Sequence, residues 1–71
     1  MNRIKYYRRL RGYTIRELAM ESGVHFVSIS RYETNKRVPS VLNLTKLARA
    51  LGCKVDDLIG NPDDTTADKI A

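Results

Sequence analysis

Residues 14–34, Thr14-Ile-Arg-Glu-Leu-Ala-Met-Glu-Ser-Gly-Val-His-Phe-Val-Ser-Ile-Ser-Arg-Tyr-Glu-Thr34, read as a short helix, a tight turn and a second short helix. Thr14 followed three residues later by Glu17 has the form of a capping box, so a helix is predicted from Ile15. Leu18, Ala19 and Ser22 fall on one face of it. Gly23 supplies a position where positive φ is cheap, which ends the helix and turns the chain. Val24 is an apolar plug for the turn. Ile29, Tyr32 and Glu33 repeat at i, i+3 and i+4 and mark the inner face of the second helix. Phe26, Val27, Ser30 and Arg31 form its outer face, with Thr34 at the end. Two helices this short are not stable alone, so the rest of the chain must supply a core beneath them.

The spacing Leu18-Ala19-x-x-x-Gly23-Val24-x-x-x-x-Ile29-Ser30-x-x-Glu33 resembles the helix-turn-helix of the phage-repressor/Cro family, the XRE-type regulators. The likeness continues through Asn35-Lys36-Arg37-x-Pro39-Ser40 and Leu44-x-x-Leu47-Ala48-x-Ala50-Leu51-Gly52, and covers about residues 3–59. It implies an all-α, compact five-helix lambda-repressor-like DNA-binding domain over residues 1–60. From Asn61 onward the composition is polar and acidic and Pro62 breaks any helix, so 61–71 reads as a flexible tail.

The composition agrees with that class. Seventy-one residues make one small domain with one modest core. The apolar fraction of 42% and charged fraction of 30% are those of a globular protein. One cysteine allows no intramolecular disulfide and suits a reducing interior. No apolar run has the length of a membrane span, and no signal-peptide core is present. The N-terminal segment is arginine-rich and acid-free like a transit peptide, but the same residues complete the domain. The net charge of +5 hides an asymmetry. Residues 1–54 hold twelve Lys and Arg against three Glu, a balance of +9; residues 55–71 hold one Lys against five Asp, a balance of −4. A basic body favours a polyanionic partner.

Helices are predicted at about 2–11, 15–22, 26–34, 41–51 and 55–59. Asn2 is the expected N-cap of the first, Ile4, Tyr7 and Arg8 its inner face and Gly12 its end. Arg3, Lys5, Arg9 and Arg11 are expected in water. Tyr13 takes the place of a hydrophobic staple. Pro39 disfavours helix at Val38. Ser40 caps the fourth helix, with Val41, Leu44, Leu47, Ala48 and Leu51 as its buried stripe and Gly52 as its stop. Cys53 is expected as a small core residue at the turn rather than a nucleophile, since no base accompanies it. Lys54 is a poor cap for the last helix, whose first turn carries Asp56 and Asp57. Val55 and Leu58 are expected in the core. A further helical turn is conceivable over Thr66–Ile70.

Several roles follow from the resemblance alone. It implies a partly buried ion pair between Arg8 and Glu33. It places the second helix of the motif in the major groove, with Phe26, Val27, Ser28 and Arg31 facing base edges. The Arg31 guanidinium matches the O6/N7 acceptors of guanine, while Phe26 and Val27 can touch thymine methyls. Backbone contact falls to Arg16, His25, Ser30, Asn35, Lys36 and Arg37. Ile15 stands where relatives often carry a phosphate-bonding glutamine, so Arg16 or the helix N-terminus must replace that contact. His25 occupies the usual Ser/Thr cap position, either as a phosphate donor or as a weak cap. Leu42 and Ile59 are the expected dimer contacts.

Together these lines predict a sequence-specific double-stranded DNA-binding regulator. The expected form is a cytoplasmic repressor of prokaryotic or mobile-element origin, binding a two-fold symmetric operator as a homodimer. The competing reading is a protein-interaction module of the same fold, of antitoxin or anti-repressor type, motivated by apolar Ile15, Phe26, Val27 and Leu42 at positions expected to be exposed. No nucleophile–base pair, phosphate-cradling glycine loop or metal-ligand cluster is present to suggest an enzyme, a cofactor or a small-molecule ligand.

Overall fold

Ile4, Leu18, Ile29, Leu47, Leu51 and Leu58 are fully buried, and they come from every helix among the described residues. The computed structural model describes residues 2–59; the expected tail at 61–71 and the turn over Thr66–Ile70 lie outside them. Among the described residues there are five helices: α1 (Ile4–Leu10), α2 (Ile15–Ser22), α3 (Phe26–Glu33), α4 (Val41–Leu51) and α5 (Val55–Leu58). α4 is the hub, packing on α1, α2 and α5, while α3 rests on α1 and α2. No helix of these residues is long and apolar enough to cross a membrane.

The local signals act as the residue types require. Thr14 and Glu17 form the full capping box: the Glu17 N–H donates to Thr14 Oγ1 at 3.1 Å and the Thr14 N–H to Glu17 Oε1 at 2.8 Å. Gly23 ends α2 at φ +77°, its N–H donating to the Ala19 carbonyl, and Val24 is buried behind it. Ser40 Oγ accepts the Asn43 N–H at 3.1 Å.

Five expectations require correction. α1 begins at Ile4, not residue 2, because the backbone of Asn2 forms an antiparallel bridge with Ile59. Asn2 still serves the helix start, its Oδ1 accepting the Ile4 N–H at 3.1 Å, but from outside the cap position. The same bridge stops α5 at Leu58, so the last helix does not include Ile59. α3 ends at Glu33, and Thr34 is its C-cap. Val41 keeps the register of the α4 stripe yet is 77% exposed. It is the first residue of its helix, where the turn overhangs the core. Arg3 is half-buried, its guanidinium 4.9 Å from the Tyr6 ring centroid and 5.5 Å from that of Tyr7. Two aromatic faces one turn ahead on α1 draw it out of the solvent.

α5 has no Ser or Asn cap, and Asp57 compensates. Its Oδ2 accepts the Lys54 N–H at 2.9 Å while its own N–H donates to the Lys54 carbonyl. Cys53 and Val55 are half-buried against the core.

Candidate nucleic-acid interface

The position of α3 is set by polar ties beneath it as much as by Ile29. Tyr32 is buried, and its hydroxyl accepts from Asn43 Nδ2 of α4 at 2.7 Å. Its carbonyl accepts from Asn2 Nδ2 at 3.0 Å. At the last residue of α3, Glu33 receives Arg8 in two parallel bonds, Nε to Oε2 at 2.7 Å and Nη2 to Oε1 at 3.0 Å. Arg8 Nη1 donates to the Tyr13 carbonyl at 2.8 Å. Three donors of the guanidinium fork are thereby spent inside the protein, which explains how a cation lies on the inner face of α1.

With its inner face so held, α3 turns Val27, Ser30, Arg31 and Thr34 outward. Together with Ile15, Arg16, Phe26 and Lys36 they line a groove of about 530 Å³. Three cations border it and no carboxylate does. Ile15 and Phe26 are half-buried and form its floor with Val27. Thr34 lies three residues beyond Arg31, and helical periodicity alone would have added it to the site; its hydroxyl donates to the Ser30 carbonyl at 2.9 Å.

The start of α3 is capped by an imidazole. His25 Nδ1 accepts the Val27 N–H at 3.1 Å. The ring stacks on Phe26 with centroids 4.8 Å apart and planes 22° apart. On the same phenyl ring sits the Arg16 guanidinium, its Cζ 4.3 Å from the centroid.

The residues expected at the interface therefore divide. Arg16, Phe26, Val27, Ser30, Arg31 and Lys36 meet in one groove. His25 stands beside it, and Ser28 is half-buried outside it. Asn35 and Arg37 line a second groove of about 250 Å³ with Asn2, Val38, Pro39, Leu44, Leu58 and Ile59. Asn35 takes φ +59°, a left-handed conformation that asparagine tolerates, and the chain leaves α3 there toward that second groove. Ile59 and Leu42 are 55% and 64% exposed, but Leu42 does not line the groove beside Ile59. Val38, at 89%, is more exposed than either.

A helix-turn-helix family model matches residues 4–58, which span α1 to α5. The chain belongs to the XRE-type helix-turn-helix family. It is 36% identical over 63 residues to an uncharacterised HTH-type transcriptional regulator of Methanocaldococcus jannaschii, an alignment covering 89% of this chain and 96% of that protein. It is 37% identical over 67 residues to the HTH-type transcriptional regulator SinR of Bacillus licheniformis, covering 93% of this chain and 60% of SinR. Among solved structures, the N-terminal DNA-binding domain of SinR from Bacillus subtilis superposes with a TM-score of 0.79 at 36% identity, over 84% of this chain and 88% of that one. A solution structure of the same domain gives 0.74 with the same coverage.

Proposed function

We infer that this chain is a DNA-binding transcriptional regulator that reads duplex DNA with the exposed face of α3. The observation that carries this reading is the groove on that face, bordered by Arg16, Arg31 and Lys36 with no carboxylate among its lining residues. A concave surface whose charged lining residues are all cations suits a polyanion whose groove can receive α3. Membership of the family and likeness to a DNA-binding domain support the same partner.

Within that reading, Arg31 is the base reader, its fork matched to guanine in the major groove. Lys36 and Arg16 hold phosphates, with Asn35 and Arg37 reaching the backbone from the loop after α3. The active form is a cytoplasmic homodimer on a two-fold symmetric operator, formed through the apolar surface at Ile59 and Leu42, and it acts as a repressor. Its two α3 helices then meet major-groove faces about 10 bp apart. The competing reading, a protein partner on the same face, draws on Ile15, Phe26 and Val27; three unopposed cations favour DNA. Binding of wild type and Arg31→Ala to duplexes substituted base by base tests the reading: one guanine position should lose its discrimination in the variant.

A further inference from the structure

Phe26 stands at the first position of α3, where a base-reading residue is expected, yet its ring is engaged by protein groups. The Arg16 guanidinium lies 4.3 Å from its centroid, and the His25 imidazole is stacked on it at 4.8 Å. We propose that Phe26 is a positioning residue rather than a base reader: its π face holds the Arg16 guanidinium at the rim of the groove, aimed at a DNA phosphate. The inference rests on the DNA-binding reading and deepens it.

Electrostatics explains why Arg16 needs such a hold. It is the second residue of α2, where free N–H groups and the positive end of the helix dipole repel a cation. Glu17, the next residue, does not neutralise it, because its carboxylate is turned back to the Thr14 N–H at 2.8 Å. The guanidinium instead crosses from α2 to α3 and rests on the negative face of the phenyl ring. There a flexible side chain is fixed before DNA arrives, and less rotamer freedom is lost on binding. A phosphate at this rim meets the guanidinium and the N-terminus of α2 together, so the site repulsive to the cation becomes favourable once an anion joins it.

His25 completes the arrangement. Its cap on the Val27 N–H fixes the imidazole, and the stacked imidazole fixes the plane of the phenyl ring. Phe26 is half-buried, so it stays under Arg16 rather than extending toward base edges. Sequence discrimination by α3 then falls to Val27 and Arg31.

The test is a double-mutant cycle of Arg16→Ala and Phe26→Leu, with Kd measured over a salt series on a duplex selected by the wild-type protein from a random pool. Leucine keeps the apolar bulk of Phe26 but has no π face. Each single variant should weaken binding about fivefold near 0.15 M salt and reduce the log–log salt slope by about 0.9, the value of one phosphate contact. The double variant should lose no more than either single one. Base preference should be unchanged in Phe26→Leu, and Phe26→Trp, with a stronger π face, should restore the wild-type slope. In the free protein, the Arg16 δ-methylene protons should carry a ring-current shift that Phe26→Leu abolishes. Additive losses, or an unchanged slope with relaxed base preference in Phe26→Leu, would overturn the platform while leaving DNA binding intact. Wild type that selects no duplex would overturn both, and the absence of the ring-current shift would overturn the platform on its own.

Discussion

Arg8 and Glu33 are joined by two parallel hydrogen bonds, at 2.7 and 3.0 Å, between the inner face of α1 and the last residue of α3. Their side chains are 11% and 5% exposed. Removing one partner leaves the other as a buried, uncompensated charge, a loss of about 3–5 kcal/mol. For a domain of this size each kcal/mol moves Tm by about 4–8 °C, so Glu33→Ala should lower Tm by at least about 12 °C. Thermal denaturation followed by circular dichroism measures it. An unchanged Tm would show that the pair does not hold α3 in place.

The capping box makes the start of α2 sensitive to acid. The Thr14 N–H, and after it the Thr14 hydroxyl, holds the Glu17 carboxyl below its ordinary value of 4.5. The ionised form is thus favoured in the folded protein. Its contribution is fully present above pH 4.5 and is lost as pH falls through the lowered folded value. Glu17→Gln should flatten the stability profile over that acidic window and leave other features of it in place. Chemical denaturation of both proteins between about pH 5 and pH 2.5, the range in which carboxyls titrate, measures the difference. Parallel profiles would refute the assignment.

Cys53 should be a slow nucleophile. Burial, and then the negative charge of Asp57, push its thiol above the ordinary value of 9.0, with Arg11 opposing them only in part. Little thiolate therefore exists at neutral pH, and alkylation by iodoacetamide should run slower than that of a free thiol such as glutathione. The rate should go on rising with pH beyond the point at which a free thiol has reached its plateau. An equal or faster rate at pH 7 would contradict this environment.

The motif and its punctuation were legible because their causes are local. Thr14 with Glu17, Gly23, Ser40 and Gly52 each act on neighbours within four residues, so spacing alone reveals them. The helical repeat likewise located Leu18, Ile29, Leu47 and Leu51. Asn2 was misread because its partner lies far along the chain, and Val41 because it opens its helix with no neighbour packed over it. A periodic stripe says which way a side chain points, not whether anything lies opposite it. The Asn2–Ile59 bridge joins residues at opposite ends of the described chain, a pairing with no local signal. The same limit applied at the site. Arg16 and Phe26 were each singled out, but their contact crosses from one helix to the next. The cap by His25 Nδ1 was weighed only as a weak one, since imidazole is an uncommon acceptor at that position.

The apolar residues at Val38, Leu42 and Ile59 are exposed while ten others form the core. If they form the two-fold interface, Leu42→Asp or Ile59→Asp should convert a dimer into a monomer without unfolding it, because neither side chain contributes to the buried cluster. Sedimentation velocity at about 10 μM, a concentration well above Kd for a nanomolar dimer, separates the two states. A monomeric wild type, or dimeric variants, would place the interface elsewhere.

The central claim is that α3 reads a DNA sequence. The most direct test is fluorescence anisotropy of the full chain on a duplex it selects from a random pool, against a scrambled duplex of the same composition, at about 150 mM salt. A preference of at least about a thousandfold, the low end for specific binders, is the expected result. Equal, weak and salt-sensitive binding to both duplexes would reduce the cationic groove to a phosphate-binding surface and contradict the claim.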